Sequence, residues 1–127
     1  MASSMEWMIP HRVLLLRITG DVSSDEVRQI AGSVEKWIDN GHAPVHLMID
    51  TTQMGRFPVS VTQIHGYSRW LYHPKTGYVV LLNPIQLIAF LTTIITGMAH
   101  VQFKIAETEQ EALQILYKVD DTLLQNP

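Results

Sequence analysis

The chain has 127 residues, of which 46% are hydrophobic and 17% are charged; this is typical of one globular domain, which we place over residues 1–127. Nine basic against twelve acidic side chains give a net charge of −3, so we expect neither a nucleic-acid surface nor an anionic-membrane surface, both of which need concentrated positive charge. The absence of cysteine excludes disulfides, thiolate metal sites and a cysteine nucleophile.

The first half of the chain predicts a hairpin, a helix and a strand. Met5 to Ile9 alternates apolar and polar residues and Arg12–Thr19 has a continuous apolar middle, so the two are expected to pair as an N-terminal antiparallel hairpin. Ser23 and Glu26 form a capping box, after which apolar residues recur at helical spacing. Val45–Asp50 then predicts a second buried strand.

The second half continues the alternation of helices and strands. The predicted elements are a helix at Ser60–Tyr72, a strand at Gly77–Leu82, a helix at Ile85–Met98, a half-exposed strand at Val101–Ile105 and a helix that opens with the capping box Thr108–Glu111. Asn83 is expected to cap the third of these elements, with Pro84 in its first turn. The order predicts an α/β domain with a mixed, mostly parallel sheet of about five strands and four helices.

One long run of the chain carries no charge. Between Lys75 and Lys104 there is no acidic or basic residue, only one histidine. Breaks at Asn83-Pro84 and at Gly97 leave a central piece that would extend about 20 Å as a helix, shorter than the roughly 30 Å core of a bilayer, so no membrane span is expected. The N-terminus shows no basic region followed by an apolar run, so no secretory signal is indicated and a cytoplasmic location is expected.

Three segments carry a resemblance to a known family. They are LMIDTTQM at the end of a strand, HPKTGYVVLLNP, and FKIAETEQEALQIL, a strand followed by a helix with an acidic start. Together with the order of elements they are similar to the STAS domain of anti-sigma-factor antagonists and sulphate-transporter tails, and more so to the small stand-alone bacterial STAS-like proteins. The resemblance covers nearly the whole chain. It implies a STAS-like fold and a non-enzymatic regulatory module with a protein partner.

The family's regulatory switch is a serine in an Asp-Ser-Ser/Thr-Gly motif. When Asp50 is aligned with the family's strand-ending aspartate, the acceptor position falls on Val59, and the glycine that closes the loop is absent. Ser60 lies one residue away and would serve as acceptor only if the loop shifts. The resemblance therefore implies a member in which the usual phospho-serine motif is missing.

Polar residues are expected at the carboxyl edge of the sheet, where α/β proteins bind ligands. They are Asp50, Thr51, Thr52 and Asn83, and with Ser60 they form a predicted partner or ligand loop. The same residue types also cap helices and form turns, and this purely structural role is the more common one for them.

The histidines do not form a convincing catalytic or metal site. His42 and His46 have metal-like spacing, but no neighbouring residue supplies a further ligand. His65 and His73 flank a predicted helix, yet nothing in the sequence orients either of them against a nucleophile. We therefore predict no catalytic residue, no metal, no cofactor and no enzyme activity.

Two surfaces indicate association. Trp70 is predicted to lie off the core stripe of its helix, where tryptophan often contacts a partner. A helical wheel for Ile85–Met98 assigns Leu87, Phe90, Leu91 and Met98 to the core side. It leaves an uncharged, small-residue face that should meet water, and we predict a homodimer through this face. The members of the predicted face are Ala89, Thr92, Thr93 and Thr96.

An alternative function is also open. STAS-like domains resemble lipid-carrying CRAL-TRIO domains in fold, and the apolar helix could cover a pocket for a small apolar or lipid-like ligand. In that interpretation Leu87, Phe90 and Leu91 line the pocket, which would need a volume of roughly several hundred Å³.

Overall fold

The computed structural model describes residues 2–57 and 68–124. Within these ranges the strands are β1 Ala2–Ile9, β2 Val13–Gly20, β3 Val45–Met54, β4 Thr76–Leu82 and β5 Phe103–Ala106. The α-helices are α1 Ser24–Asp39, α2 Gln86–Met98 and α3 Glu109–Val119. Two short 3-10 helices lie at Arg69–Tyr72 and Asp121–Leu124.

The five strands form one sheet in the order β1-β2-β3-β4-β5. β1 pairs with β2 antiparallel, and each later pair is parallel. The predicted mixed, mostly parallel sheet with an N-terminal antiparallel hairpin is therefore confirmed. β1 and β5 are the edge strands, and β3 lies at the centre.

The number of helices differs from the prediction. Four were expected, whereas the described parts of the chain contain three α-helices. Most of the predicted helix Ser60–Tyr72 lies outside the described residues, and its last four residues form a 3-10 helix. The chain must turn there into β4: His73 donates its N–H to the Trp70 carbonyl three residues back, and Pro74 cannot continue a helix.

Side chains alternate across the sheet and build two cores. On one face, Met48 and Val80 pack against Leu116 of α3. On the other face, Leu14 and Leu47 pack against Val34 of α1, and further along the sheet Val79 packs against Ile95 of α2. Because the central strands are covered on both faces, their sequences are continuous apolar runs.

The starts of the helices follow local capping chemistry where the sequence supplies it. The Ser23 Oγ atom accepts from the Glu26 N–H at 3.2 Å and the Glu26 Oε1 atom accepts from the Ser23 N–H at 2.9 Å, which confirms the first capping box. Thr108 caps α3 by accepting from the Glu111 N–H, but the Glu111 carboxylate bonds the Glu107 N–H instead of closing a reciprocal box.

α2 begins differently from the prediction. Its N-cap is Ile85, which provides no side-chain cap, and Asn83 is not the cap. Asn83 adopts a left-handed conformation with φ 42° and donates its N–H to the Ala106 carbonyl at 2.7 Å. Asparagine tolerates this conformation better than most residues, so Asn83 ends β4 by a turn and does not start the helix.

At the end of the sheet opposite to Asn83, a buried histidine joins the strands to the C-terminal segment. His46 is 1% exposed, its Nδ1 accepts from the Tyr78 N–H at 2.9 Å, and Nε2 therefore carries the proton that it donates to Asp120 Oδ2 at 2.8 Å. Arg12 donates to the same carboxylate oxygen at 2.8 Å. This network links β2, β3 and β4 to the residues that follow α3.

The network has a defined protonation state. Burial lowers the pKa of His46, and this outweighs the hydrogen bond and charge of Asp120, which raise it. Burial raises the pKa of Asp120, but the hydrogen bonds from Thr122 and His46 bring it below its usual range. His46 is thus neutral and Asp120 ionised at neutral pH.

The first prediction concerns stability in weak acid. The pKa of His46 is lower in the folded chain than its unfolded value of about 6.5. The contribution of neutral His46 to the free energy of unfolding is therefore complete above about pH 6.5. It is lost as the pH falls below that value, because the unfolded chain then binds the proton more readily. We expect the urea midpoint to fall between pH 7 and pH 5, and to fall less in His46→Gln, whose amide does not titrate. Tryptophan fluorescence measures the urea midpoint of both proteins. Equal decreases in the two would show that His46 is not the cause of the acid sensitivity.

The second prediction concerns the glycine that makes room for His46. A Cβ atom at Gly77 would lie 2.7 Å from His46 Cε1 and 3.1 Å from Pro44 Cβ. We expect Gly77→Ala to reduce the free energy of unfolding by about 1–3 kcal/mol through overpacking. The control is Gly32→Ala in α1, where a Cβ atom meets nothing within 4 Å. This substitution should increase the free energy of unfolding by up to about 1 kcal/mol, because alanine has the higher helix propensity. Urea denaturation measures both, and no loss in Gly77→Ala would refute the steric argument.

Candidate functional site

The carboxyl edge of the sheet is shaped by an irregularity between β2 and β3. Arg17 pairs with Asp50 and Thr19 pairs with Gln53, so two residues of β3 lie opposite one residue of β2. Such a bulge adds a residue to one strand and bends it locally. β3 then continues to Met54, four residues beyond the end that the sequence predicted.

Asp50 shapes this bulge. Its Oδ1 atom accepts from the Thr52 N–H at 3.0 Å and from the Thr52 hydroxyl at 2.6 Å, which is an Asx-type turn. Its other oxygen, Oδ2, lies 3.9 Å from Arg17 Nε. Arg17 also binds Glu109 at 2.6 Å and Glu6 at 3.1 Å on the α3 face of the sheet. Asp50 is therefore occupied by local structure, and Thr52 is exposed.

Thr51 has a different environment from its two neighbours. It continues the alternation of Leu47 and Ile49 and so faces the side of the sheet that carries α1 and α2. Thr51 is 9% exposed, and its buried Oγ1 atom has no hydrogen-bond partner among the described residues. An unpaired buried hydroxyl is unfavourable and is uncommon in native structures.

A cavity of about 190 Å³ lies on this side of the sheet, between α1 and α2. The sheet contributes Leu16, Ile49, Thr51 and Leu81 to its lining. The helices and their connections contribute further side chains, among them Val34, Trp70, Leu91, Ile95 and Thr96. Every lining residue in the described parts of the chain is uncharged, so the site suits an apolar occupant.

The three predicted pocket residues lie in different environments. Leu91 is buried and lines the cavity, whereas Leu87 and Phe90 are 43% and 59% exposed and are not part of its lining. The helical-wheel assignment of Leu87, Phe90 and Met98 to the core side was wrong, because α2 is rotated so that these side chains point away from the sheet.

The face of α2 that was predicted to meet solvent, Ala89, Thr92, Thr93 and Thr96, is instead turned largely towards the sheet. Thr96 is 3% exposed, Thr92 and Ala89 are half-buried, and of the four only Thr93 is exposed. The physical reason is that the Thr96 hydroxyl donates to the Thr92 carbonyl at 2.7 Å within its own helix. A threonine bonded in this way leaves no unpaired donor and can be buried with its methyl group against apolar neighbours.

The result is an exposed apolar face on α2, here named the α2 surface and defined as Leu87, Phe90 and Met98. Ile85, just before the helix, is 59% exposed, and Ile105 on the edge strand β5 is 49% exposed. Phe103, two residues before Ile105, packs in the cluster that contains Ile95, so Ile105 emerges on the same face of the sheet as α2. This exposed face lies opposite to the face that the sequence analysis assigned to association.

The remaining predicted residues are dispersed. Trp70 is half-buried and packs against the α1 and α2 clusters, so its predicted free orientation was wrong. Asn83 is exposed at the end of β4. Ser60 and His65 lie outside the described residues.

Four histidines in the described ranges have local partners. His46 belongs to the buried network above, the rings of His11 and His42 lie 5.1 Å apart, and His73 bonds Asp39. No group of three potential metal-binding side chains occurs within residues 2–57 and 68–124. Over the same ranges, no helix has the length and apolar character needed to cross a bilayer.

Comparison with known proteins gives similarity in structure but not in sequence. No protein-family model matches the chain, and no curated protein matches it. Among solved structures, the anti-sigma factor antagonist SpoIIAA in its unphosphorylated form has a TM-score of 0.66 at 21% identity, with 91% of this chain and 97% of that chain covered. The Bacillus cell fate determinant SpoIIAA in its phosphorylated form has a TM-score of 0.62 at 20% identity, over 91% and 99% of the two chains.

A third structure extends the same result. It is an uncharacterized DUF3478-family protein with a SpoIIAA-like fold from Shewanella loihica PV-4, with a TM-score of 0.64 at 19% identity over 91% of this chain and 92% of that one. At sequence identities this low, the structural similarity establishes the fold and leaves the function open. The resemblance stated from the sequence is thus confirmed as a fold: the chain has the STAS-like architecture of SpoIIAA.

Proposed function

We propose that this protein is a non-enzymatic regulatory module that acts by binding protein, and that it forms a homodimer through the α2 surface. The observation that carries the proposal is the exposed, uncharged apolar face of Leu87, Phe90 and Met98. Exposed apolar patches on folded domains commonly mark interaction sites.

Charge favours a second copy as the occupant. α2 has no charged residue, so a partner that brings charge to this face would bury it without a counter-ion. A second copy brings the same apolar side chains, and two-fold symmetric dimers use one patch twice. The net charge of −3 gives no attraction to an anionic membrane.

The fold supports a regulatory role of the kind named for SpoIIAA, an anti-sigma factor antagonist. We place the module in the cytoplasm, as we expect from the sequence. A regulatory protein partner would contact the carboxyl edge of the sheet, where Thr52 and Asn83 are exposed. Since the Asp-Ser-Ser/Thr-Gly motif is missing, the module would work without the family's serine switch, with Ser60 as the hydroxyl residue nearest in sequence to the acceptor position.

Binding of a small apolar ligand is the second candidate function. The cavity between α1 and α2 favours it, because the described residues of its lining are uncharged and mostly aliphatic. Its volume of about 190 Å³ is below the several hundred Å³ expected for a lipid-like ligand and suits a smaller molecule. The two functions are compatible, since the cavity and the α2 surface use opposite sides of one helix.

The third prediction tests the dimer. We expect light scattering to give twice the chain mass of 14.4 kDa for the native protein. In Phe90→Glu, each copy would bury an unpaired carboxylate at the interface, so dissociation should become at least about 30-fold more favourable. Leu124→Glu is the matched control, because Leu124 is 67% exposed outside α2 and its replacement adds the same charge.

The mass measurement tests the dimer only in variants that fold, so circular dichroism should accompany it. If Phe90→Glu fails to fold, Met98→Lys provides a second test of the same face. A native protein that remains monomeric at high concentration would overturn the dimer proposal, and so would a dimer that survives both substitutions.

A further inference from the structure

The cavity under α2 is a cleft that is partly open to solvent. Its volume is about 190 Å³, whereas native cores contain few voids larger than a water molecule. An engineered apolar cavity of about 150 Å³ in another protein stays free of water and binds benzene. A cavity of this size and lining is therefore able to take up a small organic molecule.

The lining restricts the charge of the occupant. It contains no acidic, basic or histidine side chain within the described parts of the chain. A charged ligand would lose its hydration there without a counter-ion, which is strongly unfavourable. The occupant that fits is neutral and mostly apolar.

Thr51 adds a polar requirement. The Oγ1 atom of Thr51, which lies in the lining, is buried and has no partner within residues 2–57 and 68–124. Thr96, the other buried threonine of the lining, already donates to the Thr92 carbonyl. Among the buried hydroxyls of the lining in the described residues, that of Thr51 is the one without a partner, so it can pair with a polar atom of an occupant.

We propose that this cavity is a binding site for one small neutral molecule with an apolar body and a single oxygen that hydrogen-bonds to Thr51. The inference rests on the second candidate function and is independent of the homodimer. The site has three walls: the sheet with Leu16, Ile49 and Leu81, α1 with Ala31 and Val34, and α2 with Leu91 and Ile95.

The test uses the full chain and three probes of similar shape. Benzyl alcohol has an apolar ring and one hydroxyl, toluene lacks the hydroxyl, and benzoate carries a charge. We expect benzyl alcohol to raise the melting temperature and to bind more tightly than toluene in calorimetry, with no binding of benzoate. Absence of benzyl alcohol binding, or equal binding of benzoate, would overturn the proposal.

Two variants locate the site. Thr51→Val keeps the shape but removes the hydroxyl, so the preference for benzyl alcohol over toluene should fall about 5- to 10-fold while the ligand-free protein keeps or gains stability. Ala31→Leu should fill the cavity, raise the melting temperature and abolish binding of both probes. Gly32→Ala, at the exposed neighbouring position, is the matched control and should leave binding unchanged.

The outcomes separate the site from the dimer. Phe90→Glu lies outside the lining and should bind benzyl alcohol as the native protein does. Unchanged binding in both Thr51→Val and Ala31→Leu would show that the probe binds elsewhere, which refutes the proposal even if the dimer is found.

Discussion

The structure depends on the burial of β3 on both of its faces. β3 pairs in parallel with β2 and β4, so its backbone is hydrogen-bonded along both edges. Its side chains alternate between two cores: Met48 faces α3, while Leu47 and Ile49 face the layer of α1 and α2. The strand therefore fixes which helices share a face, and it sets the place of Thr51 in the cavity wall.

The two helices on one face of the sheet do not fill the space between them. α1 has a well-separated apolar stripe that packs on the sheet through Ile30, Val34 and Ile38. α2 is apolar around most of its circumference, and the structure places threonine on its inner side and Phe90 on its outer side. This inverted arrangement produces both features on which the functional proposals rest, namely a cavity beneath the helix and an apolar surface above it.

The likeness to SpoIIAA shows how loosely this fold constrains sequence. Solved structures with 19–21% identity share the architecture over 91% of the chain. A buried strand requires apolar side chains of suitable volume more than particular residues, so patterns persist where identities are lost. The buried network of His46, Asp120 and Arg12 is a more specific feature, because each member must be in place to satisfy the others.

The sequence by itself determined the alternation of strands and helices, the antiparallel hairpin and the first capping box, since these follow from local periodicity and chain order. The STAS-like architecture was implied by the resemblance of three segments to that family. The sequence could not determine the rotation of α2, because a charge-free helix has no polar side to orient it, and threonine hydroxyls can be satisfied within the helix. Nor could it show that Asn83 forms a left-handed turn or that His46 meets Asp120 across 74 positions. Only the tertiary structure decided these points, because each depends on contacts between residues far apart in the chain.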